Sequence, residues 1–296
     1  MMNRAVTTLF VLLATTTPAW AYVCTAVPGA GHTLWWEPRN IPILQHVACS
    51  LDVPDEAACK AAVTAAMQAW TEVPCTDFTF VDVGDTTNPR AGYDWRRPDD
   101  NHNVVVFREG TGDPQDAWPH TPGALAITTV TFNSRTGRIL DADIEVNGAL
   151  RGQNQYTFGA CNVDGSDCAG KQDIQNTLTH EFGHVLGLDH PLERDATMYG
   201  SAEPGELKKR SLEDDDRAGI CTIYPNGQVS TPCTPAEVSD LPEPTFKQVE
   251  ACDDTGMDPC GQRFGLGCSS GGMPGWFSLV CCVLVLRRRG AAHARR

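Results

Sequence analysis

The sequence has little positive charge, no long hydrophobic run, no internal repeat and no C-x-x-C pair. Lysine and arginine total 23 against 37 aspartates and glutamates, for a formal charge of -14. Six of those arginines fall in 1–21 and 287–296, so the remainder is more acidic still. Such a balance argues against nucleic acid or an anionic membrane as partner. Without repeats the chain is not a solenoid. Without C-x-x-C, the usual paired-thiolate zinc spacing is missing from its 13 cysteines. The apolar runs 5–14 and 276–286 fall short of the roughly 20 residues that span a bilayer.

Both runs have informative flanks. Arg4, the run 5–14 and Ala19-Trp20-Ala21 read as a secretory signal over 1–21, with the mature chain beginning at Tyr22. Cysteines in an exported chain imply disulfides. Cys24, Cys49, Cys59, Cys75, Cys161, Cys168, Cys221, Cys233, Cys252 and Cys260 suffice for five bridges. Cys161 with Cys168 can close a local loop; the other pairings stay open. Cys268, Cys281 and Cys282 lie in the tail. There GLGCSSGG precedes the second apolar run and Arg287-Arg288-Arg289. This reads either as a short membrane stop with its positive end inside or as a sorting signal. In the second reading it resembles myxobacterial C-terminal sorting tails, cleaved near Cys268, with the protein displayed on the cell surface or released.

The stretch around which the rest is organised is 180–190, HEFGHVLGLDH. On a helix, His180 and His184 project from one face about one turn apart, and two imidazoles so placed can grip one zinc, with Glu181 beside them. Gly187 can stop the helix in a left-handed conformation. His190 can then return as third ligand, leaving a coordination position open for catalysis.

With its surroundings this stretch resembles the metzincin metalloproteases and, within them, the matrixins. ATMYG puts Met198 eight residues after His190, like the methionine turn beneath the metal. SLEDDDRAGICTIYP resembles the last matrixin helix, with Asp215, Asp216, Gly219, Ile220 and Tyr224 in matching places. Pro191 departs from the pattern, since matrixins usually carry Ser or Thr there. Gly200 stands where astacins and serralysins tend to have tyrosine.

The resemblance implies an α+β zincin fold. A twisted, mixed five-stranded sheet packs on a backing helix and an active-site helix, and a small C-terminal subdomain follows the zinc motif. It implies one catalytic zinc on His180, His184 and His190, with Glu181 as general base and then acid. Leu125 and Ala126 match the substrate-contacting pair, Tyr199 the primed side of the cleft. Gly187 and Met198 shape the site, and Asp215 and Asp216 anchor the methionine turn. Ile127 and Asp143 occupy places where animal matrixins hold a structural zinc, so none is expected. No PRCG switch is present, and activity without N-terminal trimming is expected.

In chain order, 34–47 suggests a first strand or hairpin, and 54–73 a helix with Cys59, Val63, Ala66, Trp70 and Val73 on one buried stripe. Strand-like runs follow at 77–83 and 103–109, then a hairpin of 124–132 and 139–146. The resemblance makes 124–132 the cleft's edge strand, able to pair with an extended peptide; an edge without ligand is the plain alternative. Asp141, Asp143 and Glu145 alternate, as a solvated acidic face or as oxygen ligands for calcium. Asp173 is a plausible N-cap for the zinc helix, whose buried stripe is Ile174, Leu178 and Val185.

The expected organisation is a signal 1–21, a catalytic domain 22–225, a disulfide-containing stalk 226–262 and a sorting or anchor tail 263–296. The expected function is that of a secreted or surface-displayed zinc endopeptidase, monomeric, acting on proteins or peptides. A non-catalytic, zinc-containing surface binding module is the alternative, against which the intact Glu181 argues.

Overall fold

The computed structural model describes residues 22–121, 123–148, 156–233, 249–251 and 265–270. The signal, most of the stalk and the apolar run 276–286 lie outside these described residues. The strands, in order, begin with β1 (Val23–Cys24), β2 (Asn40–His46), β3 (Thr79–Thr86), β4 (Asn103–Phe107), β5 (Ala124–Asn133) and β6 (Ile139–Val146). Short strands follow: β7 (Phe158–Gly159), β8 (Gln172–Asp173), β9 (Leu188–Asp189), β10 (Ser201–Ala202), β11 (Val249–Ala251) and β12 (Gly265–Ser270). Among the described residues there are also three α-helices, α1 (Glu56–Thr71), α2 (Ile174–Val185) and α3 (Asp214–Ile223).

Five strands form the central mixed sheet in the order β3-β2-β4-β6-β5. The pairs β2–β3, β2–β4 and β4–β6 are parallel, and β5 runs antiparallel to β6. The parallel strand β4 is buried throughout, as its Val-Val-Val-Phe run demands when both faces are covered. This is the α+β architecture that the sequence implied. The edge at β5 is not bare, however. β12 lies antiparallel along it, β11 pairs parallel with Thr131–Asn133, and β10 joins the far side of β12.

Helix α1 starts where the Asp55 carboxylate accepts from the Ala58 N–H at 3.2 Å, one of the amides a helix start leaves unpaired. Its stripe Cys59, Val63, Ala66, Met67 and Trp70 is buried against the core. Trp70 Nε1 donates to Thr179 O at 2.8 Å, tying α1 to α2. Helix α2 is not amphipathic in place: from Asn176 to Val185 every residue is buried. The stripe expected from Ile174, Leu178 and Val185 is real, but the opposite face is roofed as well.

The acidic alternation on β6 also differs from the expected solvated face. Asp141, Asp143 and Glu145 are all buried. Asp143 accepts from the Gly92 and Val104 amides. Glu145 takes Arg108 Nε at 2.7 Å and His120 Nε2 at 2.8 Å. Burial alone would raise the Glu145 carboxyl, yet His120 and Arg108 hold it below its ordinary value. Burial and the Asp141 charge push Asp143 well up. Buried carboxylates persist only when partnered this way, and a calcium ion here would have to displace those donors.

Among the described residues four disulfides are formed: Cys24–Cys233, Cys49–Cys59, Cys75–Cys221 and Cys161–Cys168. The last is the local loop expected from sequence. Cys233 therefore staples the start of the segment after Pro225 onto the first strand, rather than closing within a stalk. Thr231 N–H donates to Ile223 O, and Ser230 Oγ to Trp36 O, along the same path. Cys252 and Cys260 lie outside the described residues. Among the described residues no helix is long and apolar enough to cross a membrane.

Candidate metal centre and peptide cleft

The site is built from both ends of α2. At its start Asp173 caps the helix, accepting from the Asn176 amide at 2.8 Å and from Arg210 Nε at 2.7 Å. Its C-terminal half carries His180 and Glu181 and, in the last turn, His184. Gly187 follows with φ of +96°, and a Cβ there would sit 2.6 Å from Leu34 O, so conformation and space both require glycine. This turn sends the chain back through β9, which pairs with β1, and delivers His190.

The three Nε2 atoms of His180, His184 and His190 lie 3.1 Å from one another. His180 Nδ1 donates to Thr197 O at 2.7 Å, and His184 Nδ1 to Leu188 O at 2.8 Å. Those bonds place the ring protons on the outer nitrogens and leave the inner Nε2 lone pairs unprotonated. Burial, reinforced by the Lys209 and neighbouring histidine charges, holds His180 well below the ordinary imidazole range. Burial does the same to His184, and with Lys209 pushes His190 down to about 4. Three neutral imidazoles aiming lone pairs at one point repel unless a cation lies between them. Ligands about 2.1 Å from a tetrahedral zinc would stand about 3.4 Å apart, close to the spacing found. The donor set fits zinc. A second cluster, Cys161, Cys168 and Asp173, has its sulfurs joined as a disulfide and its carboxylate paired with Arg210.

Glu181 is fully buried, and its Oε2 accepts from Thr128 Oγ1 at 2.7 Å. The same hydroxyl approaches Glu181 O at 3.2 Å. Thr128 lies on β5, so the sheet edge fixes the carboxylate beside the histidines. Nothing in the sequence singled out Thr128 among the threonines of 124–133.

Met198 is buried against α2. A Cβ on Gly183 would meet its Sδ at 2.1 Å and the Trp70 ring at 2.9 Å. Gly183 is therefore the gap in α2 that admits the methionine, a requirement local helix patterning does not reveal. A Cβ on Gly200 would stand 2.9 Å from His190 Nδ1, so a larger residue there would press on the ring.

The two aspartates expected to anchor the methionine turn divide the work. Asp216 holds it, accepting from Thr197 N at 2.8 Å and Met198 N at 3.1 Å, with Glu213 N at 2.9 Å. Asp215 instead accepts from Tyr22 N at 2.8 Å, almost the whole length of the domain away in sequence. Leu125 and Ala126 are buried, Leu125 clustering with Ala202 of β10. Tyr199 is half-buried, with Arg194 over its ring at 5.8 Å, and its carbonyl accepts from the buried Lys209 ammonium.

A profile of the family described as Matrixin matches residues 44–225, more than half of the chain. This chain belongs to the matrixin family. Among curated relatives, Metalloendoproteinase 4-MMP of Arabidopsis thaliana is 31% identical over 116 residues, covering 39% of this chain and 28% of that protein. Metalloendoproteinase 2-MMP of the same plant is 27% identical over 183 residues, covering 59% and 40%. Metalloendoproteinase 1 of Glycine max is 27% identical over 166 residues, covering 56% and 45%. The chain thus spans under half the length of these relatives. In this matrixin, Pro191 is buried directly after the third histidine and does not prevent its return to the other two.

Proposed function

We propose that this matrixin is a zinc-dependent endopeptidase that cuts extended polypeptides laid along β5. The observation that carries the reading is the convergence of three unprotonated Nε2 atoms at 3.1 Å beside a carboxylate held by Thr128. Zinc held there would supply Lewis-acid chemistry, acidifying a water and polarising the scissile carbonyl. His180, His184 and His190 are the proposed ligands, with Nδ1 of the first two fixed by backbone carbonyls. Glu181 would take the water's proton and return it to the leaving amine, while the Thr128 hydroxyl keeps Oε2 aimed. Asp216 would hold the turn that puts Met198 against α2. Leu125 and Ala126 would pair with substrate backbone, and Tyr199 would flank the primed side.

Export through the signal 1–21 and a place outside the cell or on its surface belong to the same reading, supported by the four disulfides. Removing 1–21 would turn the Tyr22 N–H into an ammonium and its bond to Asp215 into an ion pair. The reading uses zinc alone; calcium on the β6 carboxylates is not part of it.

The test is a casein digest by the wild-type chain, the same chain with chelator, and Glu181→Ala, alongside a metal assay. Cleavage by the first alone, with one zinc per chain, is expected. Equal behaviour of all three would end the peptidase reading and favour a binding module.

A further inference from the structure

We propose that residues 265–270, GLGCSS, are a built-in occupant of the peptide cleft, which the chain lays across β5 in place of a substrate. The inference rests on the peptidase reading, because it names what competes for that cleft. β12 runs antiparallel to β5 with Gly265 opposite Thr129, Leu266 opposite Thr128, Gly267 opposite Ile127 and Cys268 opposite Ala126. Its end pairs parallel with β10, Ser269 opposite Ser201 and Ser270 opposite Ala202. Its backbone also comes within 8 Å of that of α2, the helix bearing His180, Glu181 and His184. The segment therefore lies between the sheet edge and the wall that follows the methionine turn, alongside the helix that carries the candidate ligands. A substrate strand that added to β5 would need these same backbone groups.

The sequence suits a resident strand. Five of the six residues are Gly, Ser or Cys, and none is charged, so the segment adds little bulk in a cleft. β11 pairs with Thr131–Asn133 of the same edge and brings the C-terminal part of the chain to the cleft before β12 begins. A segment tethered in this way competes at an effective concentration of about 1 mM, so even weak pairing holds off free peptides. The resident strand lowers the activity of the full mature chain, and its displacement opens the cleft.

The experiment uses the full mature chain carrying Leu266→Pro and Gly267→Pro together. Successive strand residues direct their N–H groups to opposite sides, so one of the two prolines removes a donor facing β5. Both substitutions lie far from the folded core in sequence. Hydrogen exchange over 124–129, read in a Glu181→Ala background to prevent self-digestion, is expected to quicken about tenfold or more in the variant. Casein hydrolysis, read with Glu181 intact, is expected to rise at least about fivefold. Unchanged exchange overturns the occupancy, whatever the activity does. Quickened exchange with unchanged hydrolysis overturns its inhibitory role. Quickened exchange in a chain that never cleaves casein keeps the occupied cleft but overturns the peptidase reading.

Discussion

The central sheet has two outer strands, β3 and β5, and they treat their free edges in opposite ways. β3 is largely exposed, with Val81 at 39% and Val83 at 52% exposure. It carries Asp82 and Asp85, a glycine at φ +104°, and a register shift against β2. Asp85 reaches Lys60 at 2.5 Å and Asp82 reaches Gln45 at 2.9 Å. Charge and irregularity of this kind discourage a further strand. β5 has no charged residue, is buried along its length, and is met on its outer side by β11 and β12. One edge repels strands and the other accepts them, and the accepting edge is the one whose Thr128 touches Glu181. A sheet can thus offer a peptide site without inviting aggregation at its far side.

The strongest way to sharpen this contrast is Glu181→Gln. Kcat/KM on casein should fall about 1,000-fold, with zinc content and circular dichroism unchanged, since a positioned acid–base group contributes roughly that much. Alanine at Asp82 on β3 should leave the rate within about twofold; a comparable loss there would erase the distinction between the edges. Next in size is Asp216→Ala, which strips the buried amides of Thr197 and Met198, and that of Glu213, of their acceptor. A cost of about 3 kcal/mol, or roughly 10 °C in Tm, is expected in a melting experiment. Thr128→Val keeps the shape of β5 but removes the hydroxyl from Glu181. A fall of about tenfold in kcat/KM with unaltered Tm would tie the β5 edge to the chemistry.

Glu109, just beyond the inner strand β4, gives a smaller, pH-dependent effect. Burial, with the Asp52 and Asp116 charges adding to it, pushes its carboxyl up to about 7. Between its ordinary value of 4.5 and about 7 the folded chain holds a proton that the unfolded chain has lost. Its contribution is therefore complete below pH 4.5 and disappears as the pH rises through 7. Glu109→Gln should flatten the decline of Tm between pH 5 and 8, and Tm curves that stay parallel would refute the assignment. Smallest of all, Asp82→Thr with Asp85→Thr should let β3 pair with another copy, seen as concentration-dependent association by sedimentation.

Much of the site was legible because its geometry is local. Helical periodicity alone puts His180 and His184 on one face, and Gly187 supplies the turn that brings His190 back. The Asp55 and Asp173 caps were likewise readable from residue type and position. Other parts required the packed molecule. Asp141, Asp143 and Glu145 look like a solvated stripe until Arg108, His120 and the amides of Gly92 and Val104 close over them. Asp215 and Asp216 are neighbours in sequence, yet one faces Met198 and the other Tyr22, because successive residues of a helix point about 100° apart.

The sequence by itself determined that His180, Glu181 and His184 share one stretch of helix and that Gly187 turns His190 back toward them, since these depend on spacings within one element or one turn, while the α+β class followed from the family resemblance. The tertiary structure alone decided that Thr128 holds Glu181, that Gly183 admits Met198, that Cys24 joins Cys233, and that GLGCSS lies on β5. Those contacts join residues from 15 positions apart, Gly183 to Met198, to 209 apart, Cys24 to Cys233, and only burial in a common core brings such groups together.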